Sequence, residues 1–210
     1  MMFWNSGVIK SIFCGSIWAS IWQVLFTIIV ILVWQNSIKL EIGSAIFTGI
    51  FISLIYVFIP LEKRNKYFIY ILSFLYFFIF ILISQKLPFS VSENFTLLKS
   101  CAFTLILAGV VSFSIIKNLK NVNWNYSSRY SSEKFYLNMF WGIGLVFFIC
   151  IITLPFYIML LTSFKNSQSL LINPLDFSIN FSLPARELFS SYIELFVEYN
   201  FLTFLINSTI

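Results

Sequence analysis

The sequence predicts an all-α, polytopic membrane protein, and three observations support this fold class. Hydrophobic residues make up 60% of the 210-residue chain, and the mean hydropathy is +0.92. Charged residues make up only 10%, whereas a soluble domain carries about 25%. The apolar residues are grouped into runs close to the ~20 residues that a helix needs to cross a ~30 Å hydrocarbon core.

Five apolar runs without charged residues meet or approach this spanning length. They cover residues 17–34, 44–61, 67–84, 101–116 and 138–162, and a sixth run begins near Phe201. The fourth run is the shortest, and it spans only if Leu97 and Leu98 join it while Lys99 reaches toward the interface. We therefore expect five transmembrane helices and the start of a sixth.

The distribution of lysine and arginine predicts the orientation, because basic residues in short loops are retained on the cytoplasmic side. With the N-terminus inside, the cytoplasmic segments carry eight basic and two acidic residues, and the other side carries five basic and six acidic residues. The eight basic residues are Lys10, Lys63, Arg64, Lys66, Lys117, Lys120, Arg129 and Lys134. We expect a cytoplasmic N-terminus, and the net charge of +5 indicates topology in a lipid bilayer and not nucleic-acid binding.

Two polar segments organise the chain. Residues 118–137 are rich in asparagine, serine and basic residues, which predicts a cytoplasmic linker. The predicted domains are therefore a four-helix membrane region over 1–117, this linker, and a second membrane region over 138–210. The longest segment outside the membrane follows residue 165, and the alternation of polar and apolar residues over 186–197 predicts a short interfacial helix.

The residue types that most catalytic sites need are missing from the apolar runs. Histidine is absent, and Cys14, Cys101 and Cys150 show no CxxC spacing, so neither a metal site nor a disulfide framework is predicted. The sequence has no phosphate-binding glycine loop, no HExxH and no GxSxG, and all its acidic residues lie outside the runs. We expect no enzyme activity, no catalytic or metal-binding residue and no cofactor.

A distinctive order of residues begins inside the fifth run. Its members are Pro155, Ser163, Phe164, Lys165, Pro174, Tyr192, Asn207 and Ser208. Taken alone, Pro155 fits either a tolerated kink or a hinge in a translocation pathway. The pair Asn207-Ser208 fits either an interfacial cap or a contact between helices.

This order resembles the N-terminal part of the maltose-type permease subunit of binding-protein-dependent ABC importers for carbohydrates, and it covers about a third of the chain. In that family the first core helix contains a late proline and ends at Ser-Phe-Lys or a similar exit, and a later helix begins around Asn-Ser. The resemblance implies alternating access, in which ATP hydrolysis by separate subunits rocks the membrane helices. The implied partners are a second permease subunit, cytoplasmic ATP-binding subunits and a periplasmic or extracellular sugar-binding protein, in the plasma (inner) membrane of a bacterium.

Two features depart from the family pattern. Four extra predicted helices precede the first core helix, and we expect them to form a peripheral attachment. The Glu-Ala-Ala loop that docks on the ATPase does not occur before Ile210, which leads us to expect an incomplete permease. The alternative is a non-transporting membrane scaffold or assembly protein, because the four extra helices match no family pattern.

Overall fold

The computed structural model describes residues 6–34, 40–65, 67–84, 97–124, 129–165, 184, 186, 189–197 and 199–209. All regular secondary structure within these residues is helical, which confirms the predicted all-α class. The helices are α1 (Gly7–Trp34), α2 (Ile42–Phe58), α3 (Phe68–Ser84), α4 (Leu97–Leu119), α5 (Arg129–Ser163), α6 (Ser190–Val197) and α7 (Phe201–Thr209). A 3₁₀ turn, Leu61–Lys63, lies between α2 and α3.

Three helices in the described part of the chain are long and apolar enough to cross a membrane. Their apolar segments are Gly7–Leu32, Leu98–Leu119 and Tyr130–Ser163. Helices α2 and α3 have 17 residues each, which corresponds to roughly 25 Å at 1.5 Å per residue. That length falls short of a ~30 Å hydrocarbon core, so α2 and α3 are shorter apolar helices that coincide with two of the predicted runs.

Helices α1 and α5 begin earlier than the hydropathy pattern predicts. Helix α1 begins at Gly7, well before residue 17, and α5 begins at Arg129, inside the predicted linker. No proline lies in either extension, so the backbone continues its helical hydrogen bonding. The two extensions also contact each other, because the Lys10 ammonium donates a hydrogen bond to the Ser132 hydroxyl at 2.6 Å. Lys10, which the sequence predicts in an N-terminal segment before the first span, thus lies on helix α1.

The chain divides into two compact units. The first consists of Met1–Ile31 and Asn36–Leu145, and the second of Leu32–Gln35 and Val146–Ile210. The division therefore falls inside α5, while residues 118–137 belong to the first unit.

In the first unit, α1 and α2 cross with their backbones in close contact. A Cβ atom on Gly15 would meet the carbonyl oxygen of Gly49, and a Cβ atom on Gly49 would meet the carbonyl oxygen of Gly15. The Ser53 hydroxyl donates to the Ser11 carbonyl oxygen at 2.7 Å across the same crossing. Small residues permit this approach, which is a common packing mode of membrane helices.

Helix α3 packs against α2 and α4 through one face. Its buried residues, Leu72, Tyr76 and Phe80, are spaced four apart, which places them on one side of the helix. The rings of Tyr76 and Phe80 are stacked, with centroids 5.8 Å apart. Phe74 and Phe78 lie on another face and are exposed.

A partly buried tryptophan joins α1 to α4 in the first unit. The Trp22 indole Nε1 donates to the Ser114 hydroxyl at 2.9 Å, and Ser114 donates in turn to the Val110 carbonyl oxygen. Buried indole N–H groups need such a partner.

Arg64 connects the carboxyl end of α2 with the carboxyl end of α4. Its guanidinium lies 4.7 Å from the centroid of the Tyr56 ring. It donates to the carbonyl oxygens of Val57, Ile59, Leu119 and Lys120 at 2.8 to 3.1 Å. Burial lowers the pKa of Arg64 and outweighs the opposing effect of Tyr56. The guanidinium nevertheless stays charged at pH 7. One side chain thus satisfies carbonyl groups that helix ends leave without partners.

Candidate functional site

Helix α5 ends in a tight turn formed by the predicted exit motif. Ser163 is the last helical residue, and its hydroxyl donates to the Leu160 carbonyl oxygen at 2.7 Å. The backbone N–H groups of Phe164 and Lys165 donate to carbonyl oxygens three residues earlier, at 3.2 and 3.1 Å. Bonds of this spacing tighten the last turn of a helix.

Pro155 lies inside α5, two turns before this exit. Because proline has no N–H group, the carbonyl oxygen of Ile151 loses its usual helical partner. Ile151 is 53% exposed, so this polar atom lies on an otherwise apolar helix surface. A neighbouring helix, a serine or threonine side chain or a water molecule can satisfy such a group in a membrane.

A later segment folds back onto the exit of α5. The Tyr192 hydroxyl donates to the Ser163 hydroxyl at 2.7 Å, and the Ser191 hydroxyl donates to the Lys165 carbonyl oxygen at 3.2 Å. The Phe164 ring packs edge to face on Phe189, with centroids 5.5 Å apart, and lies 6.1 Å from the Tyr192 ring. We call Ser163, Phe164, Phe189 and Tyr192 the exit cluster.

The exit cluster contains one residue that the sequence motif does not include. Phe189 contacts both Phe164 and Tyr192. It precedes Tyr192 by three residues, so a helical spacing of aromatic residues was the available signal. Ser191, which donates to the Lys165 carbonyl oxygen, directly precedes the motif residue Tyr192.

The remaining motif positions lie apart from the exit cluster or outside the described residues. Pro174 lies outside the described residues. Asn207 and Ser208 lie within α7, which begins at Phe201, whereas the family pattern places the Asn-Ser pair around a helix start. The Ser208 hydroxyl donates to the Leu205 carbonyl oxygen at 3.0 Å, so it satisfies a carbonyl group of its own helix.

Helices α6 and α7 are in contact and are separated by a short connection that contains Asn200. Asn200 has φ of 47°, in the left-handed region that asparagine tolerates better than most residues. The Phe196 and Phe201 rings flank it and pack edge to face at 5.9 Å. The side chains of these two helices are otherwise mostly exposed.

The apolar surface of α5 in the second unit has few contacts. Phe148 is 65% exposed, Phe156 65% and Met159 66%. In the most apolar 18-residue stretch of α5 no residue is buried, whereas 39% of the residues in the corresponding stretch of α1 and 44% in that of α4 are buried. In a membrane this surface must be covered by lipid or by the helices of another protein.

Among the described residues, no group of three or more His, Cys, Asp or Glu side chains could hold a metal ion. The three cysteines are free, and Cys14 is buried. The described residues of the second unit include hydroxyl hydrogen bonds, aromatic contacts and exposed apolar side chains.

These features define the class of the chain as an all-helical protein whose three long apolar helices are compatible with membrane insertion. Comparison with known protein families, with characterised proteins and with solved structures finds no match.

Proposed function

We propose that this chain is a membrane-spanning permease subunit of a binding-protein-dependent ABC importer for sugars, in the plasma membrane of a bacterium. The observation that carries this proposal is the exit cluster. Three motif positions, Ser163, Phe164 and Tyr192, contact one another although Ser163 and Tyr192 are 29 residues apart in sequence. The resemblance places Ser163 and Phe164 at the non-cytoplasmic end of the first core helix and Tyr192 in the periplasmic stretch that follows, and their contacts join this stretch to the helix end.

The proposed mechanism is alternating access. Separate cytoplasmic subunits hydrolyse ATP, a sugar-binding protein delivers the substrate from outside, and this chain supplies membrane helices without a catalytic role. The exposed apolar surface of α5 supports a second permease subunit as its partner, because Phe148, Phe156 and Met159 all lie on helix surface that the described chain leaves uncovered.

We propose five membrane spans and the start of a sixth, with the N-terminus in the cytoplasm. Two contacts support this topology by bringing basic residues of the predicted cytoplasmic side to one end of the first unit. Lys10 bonds Ser132 at the start of α5, and Arg64 bonds the Leu119 carbonyl at the end of α4. The 17-residue helices α2 and α3 would span a locally thinned bilayer, an adjustment that costs fractions of a kcal/mol per Å.

Photo-crosslinking in membranes of the native host tests the function. A benzophenone amino acid replaces Phe156, which is 65% exposed on α5, or Phe74, which is 61% exposed on α3. We expect adducts at position 156 to contain a second permease subunit and to copurify with a nucleotide-binding subunit. Position 74 is the matched control and should label lipid. Protein adducts at 156 without any nucleotide-binding subunit would favour the scaffold alternative, and lipid adducts alone at 156 would contradict the proposed partner surface.

Reporter fusions test the orientation separately. A fluorescent protein fused after Trp124 should fluoresce, because that reporter folds in the cytoplasm. Alkaline phosphatase fused after Lys165 should be active, because that enzyme needs the oxidising exterior. The reverse pattern would overturn the cytoplasmic N-terminus and leave the partner experiment unaffected.

A further inference from the structure

A cavity lies between the end of α4 and the start of α5, within the first unit, and its wall combines basic, amide and hydroxyl groups with the apolar side chains of Val122 and Phe135. Its volume is about 230 Å³. The side chains that matter for its chemistry are Lys117, Lys134, Asn118, Asn121, Asn138 and Tyr130, and none of the described residues that line it carries a carboxylate. Two ammonium groups, three amides and a phenol offer many N–H and O–H donors and no negative charge.

The two lysines of this cavity have no acidic partner in the described part of the chain. Lys117 and Lys134 are exposed, and neither forms an ion pair with a described residue. Glu133 lies beside Lys134 in sequence but does not line the cavity. The charge of the two lysines is therefore available to a ligand.

The surrounding backbone increases the positive potential of the cavity. The first turn of α5 contributes Tyr130 to the wall, and the N–H groups of a helix start attract anions. The opposite pole at the end of α4 is covered, because Arg64 donates to the carbonyl oxygens of Leu119 and Lys120. The positive charge of Arg64 therefore offsets part of the negative pole at the end of α4.

A third lysine adds charge behind the wall. Lys10 is 1% exposed, and its ammonium donates to the Ser132 hydroxyl, next to the lining residue Ser131. No carboxylate in the described chain pairs with Lys10. A buried ammonium held by a hydroxyl is costly without a nearby negative charge, and a bound anion would supply that charge.

The position of the cavity favours an anion that belongs to the membrane. The apolar run of α4 ends at Ile116, so Lys117 and the residues after it lie where the helix leaves the hydrocarbon region. Exposed apolar side chains adjoin the polar wall in sequence, including Phe113 at 53% and Leu137 at 61% exposure. A pocket that holds basic and amide groups beside exposed apolar surface matches a lipid, with its headgroup in the pocket and its acyl chains outside.

We propose that the cavity between α4 and α5 binds the phosphate group of an anionic lipid headgroup. Basic pockets between membrane helices on the cytoplasmic side are suited to such headgroups. Lys117 and Lys134 contribute the charge attraction, while the amides of Asn121 and Asn138 supply hydrogen bonds to phosphate oxygens. This site is independent of the transport role, because it lies in the first unit and uses none of the exit cluster.

Binding of short-chain lipids to the purified full chain in neutral detergent tests the proposal. The probes are dioctanoyl phosphatidylglycerol, dioctanoyl phosphatidylcholine and inorganic phosphate, with bound ligand counted by native mass spectrometry. We expect binding of phosphatidylglycerol with little binding of the zwitterionic lipid. The double variant K117Q/K134Q should weaken phosphatidylglycerol binding about 30-fold, since each lysine near an anionic headgroup contributes about 1 kcal/mol.

The matched control is K63Q/K120Q, which removes the same charge from exposed positions outside the cavity. It should weaken binding less than about threefold, because these two lysines do not line the cavity and salt screens their longer-range attraction to the headgroup. The neutral variant N121A/N138A should weaken binding about fivefold through lost hydrogen bonds alone. Circular dichroism of all variants checks that helix content is unchanged.

Three results would overturn the lipid site. Equal losses in the two lysine variants would mean general charge attraction, and equal binding of both lipids would mean that the headgroup charge is not recognised. Inorganic phosphate that binds as tightly as phosphatidylglycerol would identify a soluble phosphate as the ligand and exclude the lipid as its source.

Discussion

The first unit packs its side chains on itself, whereas the second unit leaves most of its apolar surface uncovered. In the first unit, α3 buries Leu72, Tyr76 and Phe80, and α1 and α2 cross at Gly15 and Gly49. In the second unit, the most apolar window of α5 has no buried residue. The difference teaches that hydropathy alone does not separate a helix that is packed within its own chain from one that needs lipid or a partner.

The largest expected effect tests this difference with one substitution made in both units. Phe80→Ala in α3 removes a side chain that is 0% exposed and should lower the free energy of unfolding by about 3–5 kcal/mol. Phe156→Ala in α5 removes one that is 65% exposed and should change it by less than about 0.5 kcal/mol. Unfolding by sodium dodecyl sulfate in mixed micelles measures both. Similar losses would show that the second unit is packed as closely as the first.

A glycine substitution sharpens the account of how the first unit packs. Gly15→Val places a side chain against the backbone of α2 and should cost about 2–3 kcal/mol through forced separation of the helices. Gly109→Val is the control, because a Cβ atom there meets no atom within 4 Å. The same unfolding measurement compares the two variants. A stable Gly15→Val protein would argue against the close crossing.

Removing Arg64 tests whether the ends of α2 and α4 depend on one guanidinium. Arg64→Met deletes four hydrogen bonds to carbonyl oxygens and should cost about 2 kcal/mol. Amide hydrogen exchange at the end of α4, near Leu119, should become faster. Lys63→Met changes an exposed neighbour with the same charge, so comparable exchange in both variants would assign the effect to charge and not to these bonds.

The smallest effect concerns the exit cluster. Tyr192→Phe keeps the ring and removes the hydroxyl that donates to Ser163, which should weaken local closure by about 1 kcal/mol. Hydrogen exchange over α6 should become faster while the stability of the first unit stays unchanged. Tyr199→Phe serves as control, since the Tyr199 hydroxyl makes no hydrogen bond with a described residue. Unchanged exchange in Tyr192→Phe would contradict a closed exit.

The positions of the helices were predictable, because each long apolar run must satisfy its backbone hydrogen bonds internally. Their starting points were not, because hydropathy marks the apolar stretch and the helix continues beyond it. Lys10 illustrates this difference. Its charge predicts a segment outside the span, yet it lies within α1, where its ammonium has a hydroxyl partner on α5. That partner is distant in sequence and leaves no local signal.

The faces of the helices were also not predictable from composition. Phe74, Phe78 and Phe80 look alike in sequence, but only Phe80 among them is buried, because the positions of α2 and α4 decide which face is covered. The α1–α2 crossing did have a signal. Gly15 and Ala19 are four residues apart, as are Gly49 and Ser53, and small residues at this spacing favour close helix packing.

The exit cluster was predictable in part. The Ser-Phe-Lys motif marks the end of α5, and the structure brings Tyr192 to Ser163 and Phe164. The contact of Phe189 could not be read from the motif, because it depends on how the intervening segment returns to the helix end.

The hydrogen bonds of Lys10 and Arg64 have a consequence for the order of assembly during synthesis. Lys10 and Ser132 are 122 residues apart, and Arg64 and Leu119 are 55 residues apart. Lys10 and Arg64 therefore leave the ribosome long before Ser132 and Leu119 are made, although Arg64 can already bond the carbonyl oxygens of Val57 and Ile59. Until α4 and α5 follow, we expect water to satisfy the remaining donors of both cations. The first unit can close only after its last helix has been made, so ribosome-bound intermediates should retain these two side chains in a solvent-accessible state.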